Sequence, residues 1–325
     1  MSVADWQPAA SLPVIRQRAA MLARARAYFA SARVLEVQTP LLSASAASEP
    51  QIESIAALPA GGPALYLQTS PEYPMKRLLA AGLGDCYQIC PVFRDGESGR
   101  QHNPEFTMIE WYRLGLDVTG LQQDVERLVR AMIGEFRVLA PARRVSYREA
   151  IARCCGLDCA TASLAEIEST LRARGITLTA AEDQDRDSWL DLLMATIVGP
   201  ALGRDRPVFV HDYPASQAAL ARLRDDGDGW PVAERFELYM DGVEIANGFH
   251  ELNDAAEQRR RFEQDLEARR RRGRRLTPLD RRFLAALEQG LPDCAGVALG
   301  FDRLVMVALQ LPSIDAAMPF PIGRA

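Results

Sequence analysis

The stretch Arg94-Asp-Gly-Glu-Ser-Gly-Arg-Gln-His-Asn-Pro-Glu-Phe-Thr-Met-Ile-Glu-Trp-Tyr112 decides the fold. Ahead of it, Asp85-Cys-Tyr-Gln-Ile-Cys-Pro-Val-Phe93 is rich in β-branched and aromatic residues, and at its end Phe106, Met108, Ile109, Trp111 and Tyr112 form strands equally readily. The pattern predicts two strands joined by a polar loop of about ten residues, longer than the two to five of a plain hairpin. Arg94, Arg100 and His102 can hold phosphate oxygens, and Asn103-Pro104 imposes an extended backbone at Asn103. Taken alone, the loop reads either as an anion-holding element or as a solvated hairpin tip.

On the N-terminal side, the spacing of Leu12, Ile15, Ala19, Leu22, Ala23, Ala27 and Ala30 predicts a helix over 12–32, with Pro13 near its start. A strand at 34–38 stops at Thr39-Pro40, and the small, polar, Pro/Gly-rich stretch 43–62 reads as loop. A strand at 64–68 leads to a helix over 72–81, whose start is marked by Ser70 and Pro71.

On the C-terminal side a helix over 118–138 is followed by the mostly helical, alanine-rich stretch 140–205, read as an insertion packed on a single domain, and then by a strand at 208–210. In Glu234-Arg-Phe-Glu-Leu-Tyr-Met-Asp-Gly-Val-Glu-Ile-Ala-Asn-Gly-Phe-His-Glu251, Asp241-Gly242 between alternating runs is a hairpin signal. In that register Met240 faces Val243, Tyr239 faces Glu244, and Glu237 lies on the same face, diagonal to Glu244. Two such carboxylates either flank a hard cation such as Mg²⁺ carrying phosphates or form a solvent-facing acidic pair. A polar helix over 253–272 starts at Asn253 or Asp254. Leu291 to Met306 then reads as a strand, a glycine turn at Gly300, and a helix that buries Leu304, Val305 and Ala308 and carries Arg303 in its first turn.

Composition narrows the function classes. The 325 residues, 48% hydrophobic and 25% charged, are enough for a large core of ordinary globular type. No apolar run approaches the roughly 18 residues of a membrane helix, and the N-terminus lacks a signal-peptide core, so the chain reads as cytoplasmic. Six cysteines without a CxxC pair, beside three histidines, argue for reduced thiols and against a structural zinc. A formal net charge of −5 argues against a protein that coats nucleic acid. Basic charge nevertheless clusters at Arg259–Arg261 and Arg269–Arg275, as a solvated helix face or a surface for an acidic partner. Lys76 is the one lysine among 38 basic residues, as biased base composition would produce. Neither GxxxxGK followed by Ser or Thr nor GxGxxG occurs, which excludes a P-loop or a Rossmann turn for ATP.

Phe93-Arg94, His102-Asn-Pro-Glu-Phe-Thr107 and Glu110-Trp-Tyr112 resemble the second signature of class II aminoacyl-tRNA synthetases in its lysyl form. The helix 12–32 with its strand resembles the first signature, which builds the dimer interface in that family, and Gly300-Phe-Asp-Arg303 resembles the third. Thr69-Ser-Pro-Glu-Tyr73 with Met75-Lys-Arg-Leu-Leu79 resembles the turn that touches the amino acid in the lysyl branch. The resemblance implies an α+β fold, an antiparallel sheet flanked by helices with an inserted helical segment. It also implies adenylate formation, in which a substrate carboxylate attacks the α-phosphorus of ATP and pyrophosphate leaves.

The same resemblance assigns residues. Arg94 and Arg303 take the catalytic place at the phosphates, and Asp95, Gly96, His102, Asn103, Glu244, Ile245 and Gly300 are further ATP contacts. Glu237 and Glu244 hold Mg²⁺. Ser70, Pro71, Glu72, Glu110, Tyr112, Glu251 and Ala298 line the amino acid pocket, with Glu251, Glu110 and Tyr112 at the side-chain amine. Two departures stand out: Gly96 occupies the place of a family glutamate, with Glu97 one residue later, and Ala298 replaces the glycine of tRNA-charging lysyl enzymes.

The first signature helix starts about a dozen residues from Met1, too few for the anticodon-binding barrel of lysyl-tRNA synthetases. The whole chain is similar to the short lysyl-synthetase paralogues that activate (R)-β-lysine with ATP and transfer it to a lysine ε-amine of elongation factor P. That similarity implies a homodimer acting on elongation factor P, away from membranes and tRNA. A minimal tRNA-charging ligase and a non-catalytic synthetase-like regulator are the alternatives. The missing domain counts against the first, and intact Arg94, Arg303, Glu237 and Glu244 count against the second.

Overall fold

The computed structural model describes residues 6–134, 136–176 and 185–325. They fall into two compact units, one of residues 1–138 with 251–325 and one of residues 139–250. The expected insertion at 140–205 thus belongs to a longer unit that also holds the strands up to His250.

The first unit opens with α1 (Leu12–Ser31), capped where the Ser11 hydroxyl accepts the Val14 N–H at 3.4 Å. Its buried stripe is Met21, Ala25 and Phe29, and Phe29 stacks on Tyr87 with ring centroids 4.0 Å apart. β1 (Leu35–Glu36) is shorter than the sequence suggests and pairs in parallel with a later strand. β2 (Leu42–Ser43), β3 (Ala56–Ala57) and β4 (Leu65–Leu67) form a small antiparallel sheet in the order β2-β4-β3. The stretch 43–62 is therefore not all loop; two-residue strands of small side chains carry no alternation to read. α2 (Glu72–Ala80) follows, then β5 (Cys86–Phe93) and β6 (Glu105–Leu114), registered from Cys86↔Tyr112 to Phe93↔Glu105, and α3 (Val118–Ile133).

The second unit contains β7 (Arg143–Ser146), α4 (Tyr147–Cys155), α5 (Leu164–Ala173), α6 (Arg186–Leu193) and the short α7 (Gly199–Ala201). Ser163 and Glu166 close a capping box at the start of α5. β8 (Val208–Pro214), β9 (Leu223–Asp225), β10 (Pro231–Met240) and β11 (Val243–His250) complete it. β7 and β8 are parallel; β8, β9 and β11 each pair antiparallel with β10. At the hairpin, Asp241 (φ 52°) and Gly242 (φ 79°) both take the left-handed conformation that a two-residue turn between twisted strands requires.

The chain then returns to the first unit with α8 (Ala255–Arg271), capped by Asp254, followed by α9 (Arg281–Gly290), β12 (Cys294–Gly300) and α10 (Phe301–Ala308). β12 runs antiparallel to β6, from Cys294↔Leu114 to Gly300↔Met108, so the strand order in this unit is β1-β5-β6-β12. Leu304, Val305 and Ala308 are buried as the sequence predicts. The basic runs on and after α8 are largely spent internally. Arg260 and Arg261 pair with Glu257, Arg259 with Glu288, and Arg270 with Glu267. Arg269 is 0% exposed and donates to the carbonyls of Glu49, Ile52 and Arg275 and to Glu53 Oε2, all within 2.9 Å. All six cysteines are free, and among the described residues no helix is long and apolar enough to cross a membrane.

Candidate active site

The loop between β5 and β6 is closed at its base by the Arg94 N–H on the Pro104 carbonyl, 2.8 Å, and at its tip by a backbone exchange between Gly99 and His102. The Arg94 guanidinium lies over the Phe106 ring at 5.3 Å, with Glu97 Oε1 3.6 Å from Nη1. Its Nε is buried without an acceptor among the described residues, which suits an anionic ligand. Arg303, in the first turn of α10, donates from Nε to the Gln101 carbonyl at 3.1 Å and meets His102 Nε2 at 2.6 Å. To accept that hydrogen bond the imidazole must be neutral, and burial first, then the Arg303 charge, hold its pKa below the usual value.

Other loop residues are engaged with the chain itself. Asn103 is buried; its amide donates to the Glu105 carbonyl at 2.6 Å and its Oδ1 accepts the Ile322 N–H at 2.9 Å. The Asp95 N–H reaches the Glu53 carbonyl at 2.8 Å. Gly96 has φ 76°, so the residue in the family glutamate position serves the backbone turn. Gly300 differs from the expected glycine turn. It is the N-cap of α10 at φ −73°, and an added Cβ would meet only the Arg303 side chain, no closer than 3.7 Å. Neither dihedral nor packing demands glycine there.

Two residues to which the signatures assign no role, Asp302 and Arg18, fix this region. Asp302 is 1% exposed and accepts the Thr107 N–H at 2.6 Å together with the Arg18 guanidinium. Arg18 also donates to Thr107 Oγ1 at 2.8 Å and lies over the Phe301 ring at 4.7 Å. Helix α1, strand β6 and helix α10 are thereby joined at one carboxylate, and Arg303 is its chain neighbour. The only sequence signal was that Asp302 sits inside the third signature.

Elsewhere in the same unit the side chains expected around an amine converge. Glu110 and Tyr112, two apart on β6, share a face, and the Tyr112 hydroxyl donates to Glu110 Oε1 at 2.6 Å. The Ser70 hydroxyl donates to Glu110 Oε2 at 2.7 Å and accepts the Glu72 N–H at 3.0 Å; Pro71 is the N-cap of α2. Glu251 is 1% exposed, with its N–H on the Cys294 carbonyl. On β12, Ala298 lies directly opposite Glu110 and Gly296 directly opposite Tyr112. A Cβ on Gly296 would lie 2.2 Å from the Tyr112 ring and 2.5 Å from Glu251 Oε1. Only a hydrogen leaves room for both, so Gly296 belongs to this cluster although no motif marks it.

Between the acids sits Lys76, with Nζ 2.5 Å from Glu72 Oε1 and 2.6 Å from Glu251 Oε2. Burial alone would lower its pKa, but the charges of Glu251 and Glu72 raise it, so it stays an ammonium. Burial pushes the Glu110 carboxyl up, reinforced by Glu72; burial does the same to Glu251, against the pull of Lys76. A buried group of acids with raised pKa values and one fixed cation suits a cationic ligand.

In the second unit, Tyr239 faces Glu244 and Met240 faces Val243, as expected. A bulge between Leu238 and Tyr239 then shifts the register, so Glu237 pairs with Asn247. Glu237 accepts the Tyr239 hydroxyl at 2.7 Å and the Arg235 guanidinium, which also donates to the Gln217 carbonyl and Asn247 Oδ1. The Ile245 side chain is buried. Glu237, Glu244 and Asn247 offer oxygen donors only, the set a hard divalent ion prefers. Among the described residues no three His, Cys, Asp or Glu side chains form a metal cage, so a magnesium ion here would draw its remaining ligands from phosphates and water, as this ion commonly does. Arg235 and Asn247 were not legible as site residues because the bulge that brings Asn247 opposite Glu237 leaves no mark on the alternation.

An arginine on a strand–loop–strand and another on a strand–helix turn, with strand β6 and helix α10 joined at Asp302, are the parts of a class II synthetase catalytic fold. The chain belongs to the family of tRNA synthetases class II (D, K and N), which matches residues 2–324. It is 44% identical over 330 residues to the elongation factor P–(R)-β-lysine ligase of Pseudoalteromonas translucida, with 100% of both chains covered. It is 45% identical over 327 residues to the ligase of the same name from Klebsiella pneumoniae subsp. pneumoniae, and 44% over 327 residues to that of Yersinia enterocolitica, with 99% of each chain covered in both cases.

Proposed function

We propose that this protein is an ATP-dependent ligase that activates (R)-β-lysine as an aminoacyl adenylate and transfers it to the ε-amine of a lysine on elongation factor P. The observation that carries this reading is the acid cluster of buried Glu110 and Glu251 with the partly buried Glu72, gathered around Lys76 in a chain that carries the signature arginines and matches ligases of that name over 99–100% of its length. In the first step the substrate carboxylate attacks the α-phosphorus of ATP and the bond to pyrophosphate breaks. Arg94 and Arg303 stabilise the charge that gathers on the phosphoryl oxygens. Glu237 and Glu244 would hold Mg²⁺, which supplies neutralisation of the phosphate charge when bound. No general base is needed, because a carboxylate is already a nucleophile. Glu251, Glu110 and Tyr112 bind the substrate's side-chain amine, and the Ser70–Glu72 turn and Ala298 bound the rest of the amino acid. His102, Asn103, Gly300 and Ile245, with Asp95 and Gly96, contact the nucleotide.

In the second step the acceptor ε-amine attacks the acyl carbon and AMP leaves. We assign the protein to the cytoplasm and to a homodimer formed through the first-signature segment, where Leu35 is exposed on β1, the end strand of its sheet. The test is pyrophosphate exchange with β-lysine and with lysine, followed by transfer to elongation factor P or to tRNA. Exchange without transfer to elongation factor P would overturn the acceptor, charging of tRNA would favour a minimal tRNA ligase, and no exchange would favour a regulator.

A further inference from the structure

Lys76 is the single lysine in a chain that uses arginine at every other basic position among its 38. Its surroundings explain why lysine is needed at this one. The side chain is 1% exposed, its ammonium touches two carboxylates, and the rings of Phe283 and Tyr112 close the space at 5.8 and 6.0 Å. A compact ammonium fits such a cage. A planar guanidinium with five donors in a fixed fork does not fit without displacing Tyr112 or one of the acids.

A buried ion pair could be structural only, but the direction of Glu251 points further. Its two oxygens have different tasks. Oε2 is held by Lys76, and Oε1 lies over Gly296, beside the Tyr112 ring. The Tyr112 hydroxyl is on Glu110, and Ala298 is the cross-strand neighbour of Glu110. Lys76 therefore pins one end of a carboxylate whose other end is turned toward the remaining pocket residues.

We propose that Lys76 is the positioning residue of the substrate-amine pocket: by holding Glu251 Oε2 it aims Oε1 at the amine of the bound amino acid. This rests on the reading of the cluster as the amine pocket. Lys76 is not a catalytic residue and need not touch ATP.

The single lysine makes the test direct. Wild-type protein labelled with ¹⁵N at lysine Nζ has one side-chain ammonium resonance. Adding unlabelled (R)-β-lysine or lysine should shift that resonance, and adding ATP alone should leave it in place. Lys76→Met and Lys76→Arg should each raise KM for the amino acid in pyrophosphate exchange by about tenfold or more, with KM for ATP within about twofold. The two variants should differ in their pH profiles. Lys76→Met should move the acid limb of kcat/KM for the amino acid to higher pH, whereas Lys76→Arg, which keeps the charge, should not. An amino acid that leaves the resonance unmoved, or a folded Lys76→Met with unchanged KM for it, overturns the proposal. A KM rise shared equally by ATP also overturns it, since that marks general damage. Glu251→Gln separates the two levels. If it leaves KM for the amino acid unchanged, the pocket reading itself falls. If it raises KM while both Lys76 variants do not, only the role of Lys76 falls.

Discussion

Arg303 donates from Nη2 to Nε2 of His102 across 2.6 Å, linking the helix of one signature to the loop of another. The contact exists only while the imidazole is neutral. Because burial and Arg303 hold its pKa below the ordinary value of about 6.5, the folded protein resists a proton that the unfolded chain accepts, and stability is lost as pH falls through and below that range. At saturating amino acid, kcat/KM for ATP should therefore show an acid limb. His102→Gln accepts without titrating and should flatten it. A limb that persists in the variant would belong to another group.

The amino acid side should titrate differently. The buried carboxyls of Glu110 and Glu251 have raised pKa values, so the folded chain keeps their protons to higher pH than the unfolded chain does. Their effect on stability therefore declines as pH rises through the raised range. A bound ammonium reverses the preference and expels the proton. Calorimetric titration with β-lysine, run in buffers of different ionisation enthalpy, should report net proton release near neutral pH, and Glu110→Gln should reduce it. Binding with no proton release would mean that the acids are already ionised.

Two small residues on β12 should behave in opposite ways. Gly296→Ala puts a methyl 2.2 Å from the Tyr112 ring, an overpacking worth about 1–3 kcal/mol in stability, and should weaken amino acid binding at the same time. Ala298→Gly removes a methyl directly opposite Glu110 and should leave ATP binding intact while relaxing the preference toward ordinary lysine. Steric differences of that size are worth roughly 1–3 kcal/mol between isomers. The ratio of pyrophosphate exchange rates with the two isomers, wild type against variant, is the measurement; a ratio that does not move makes the methyl plain packing.

Neighbouring arginines on α8 should separate sharply in a thermal or urea melt. Arg269→Met removes the guanidinium that donates to three carbonyls and to Glu53 Oε2 and should cost about 3–5 kcal/mol. Arg270→Met breaks an exposed pair with Glu267 and should cost less than about 1 kcal/mol. Equal effects would mean that the Arg269 clamp is replaceable by water.

That contrast also shows where sequence reading stops. The Asp241-Gly242 turn was legible because two adjacent left-handed residues strongly favour Asp, Asn or Gly. The β5–β6 pair and the helix carrying Arg303 were legible because apolar alternation and family signatures agreed. Arg269 was not, because in a run of arginines nothing marks the buried one; contacts more than two hundred residues away in the chain decide it. The bulge before Tyr239, the two-residue β3 and the tight fit at Gly296 depend likewise on backbone geometry and on partners distant in sequence.

The cage around Lys76 has one more outcome for an enzyme proposed to make an acyl adenylate aimed at lysine ε-amines. Such a mixed anhydride acylates whatever free amine it meets, and a catalyst covered in lysines would become its own substrate. Here the only ε-amine in the chain is enclosed, protonated and pressed between two acids, so it has no lone pair to offer. Turnover without an acceptor should leave the enzyme's side chains unmodified by intact mass, whereas Arg100→Lys, which places an ε-amine on the signature loop, should pick up the added aminoacyl group. Arginine on the surface and lysine only in the interior leave this protein without an open ε-amine for its own intermediate to acylate.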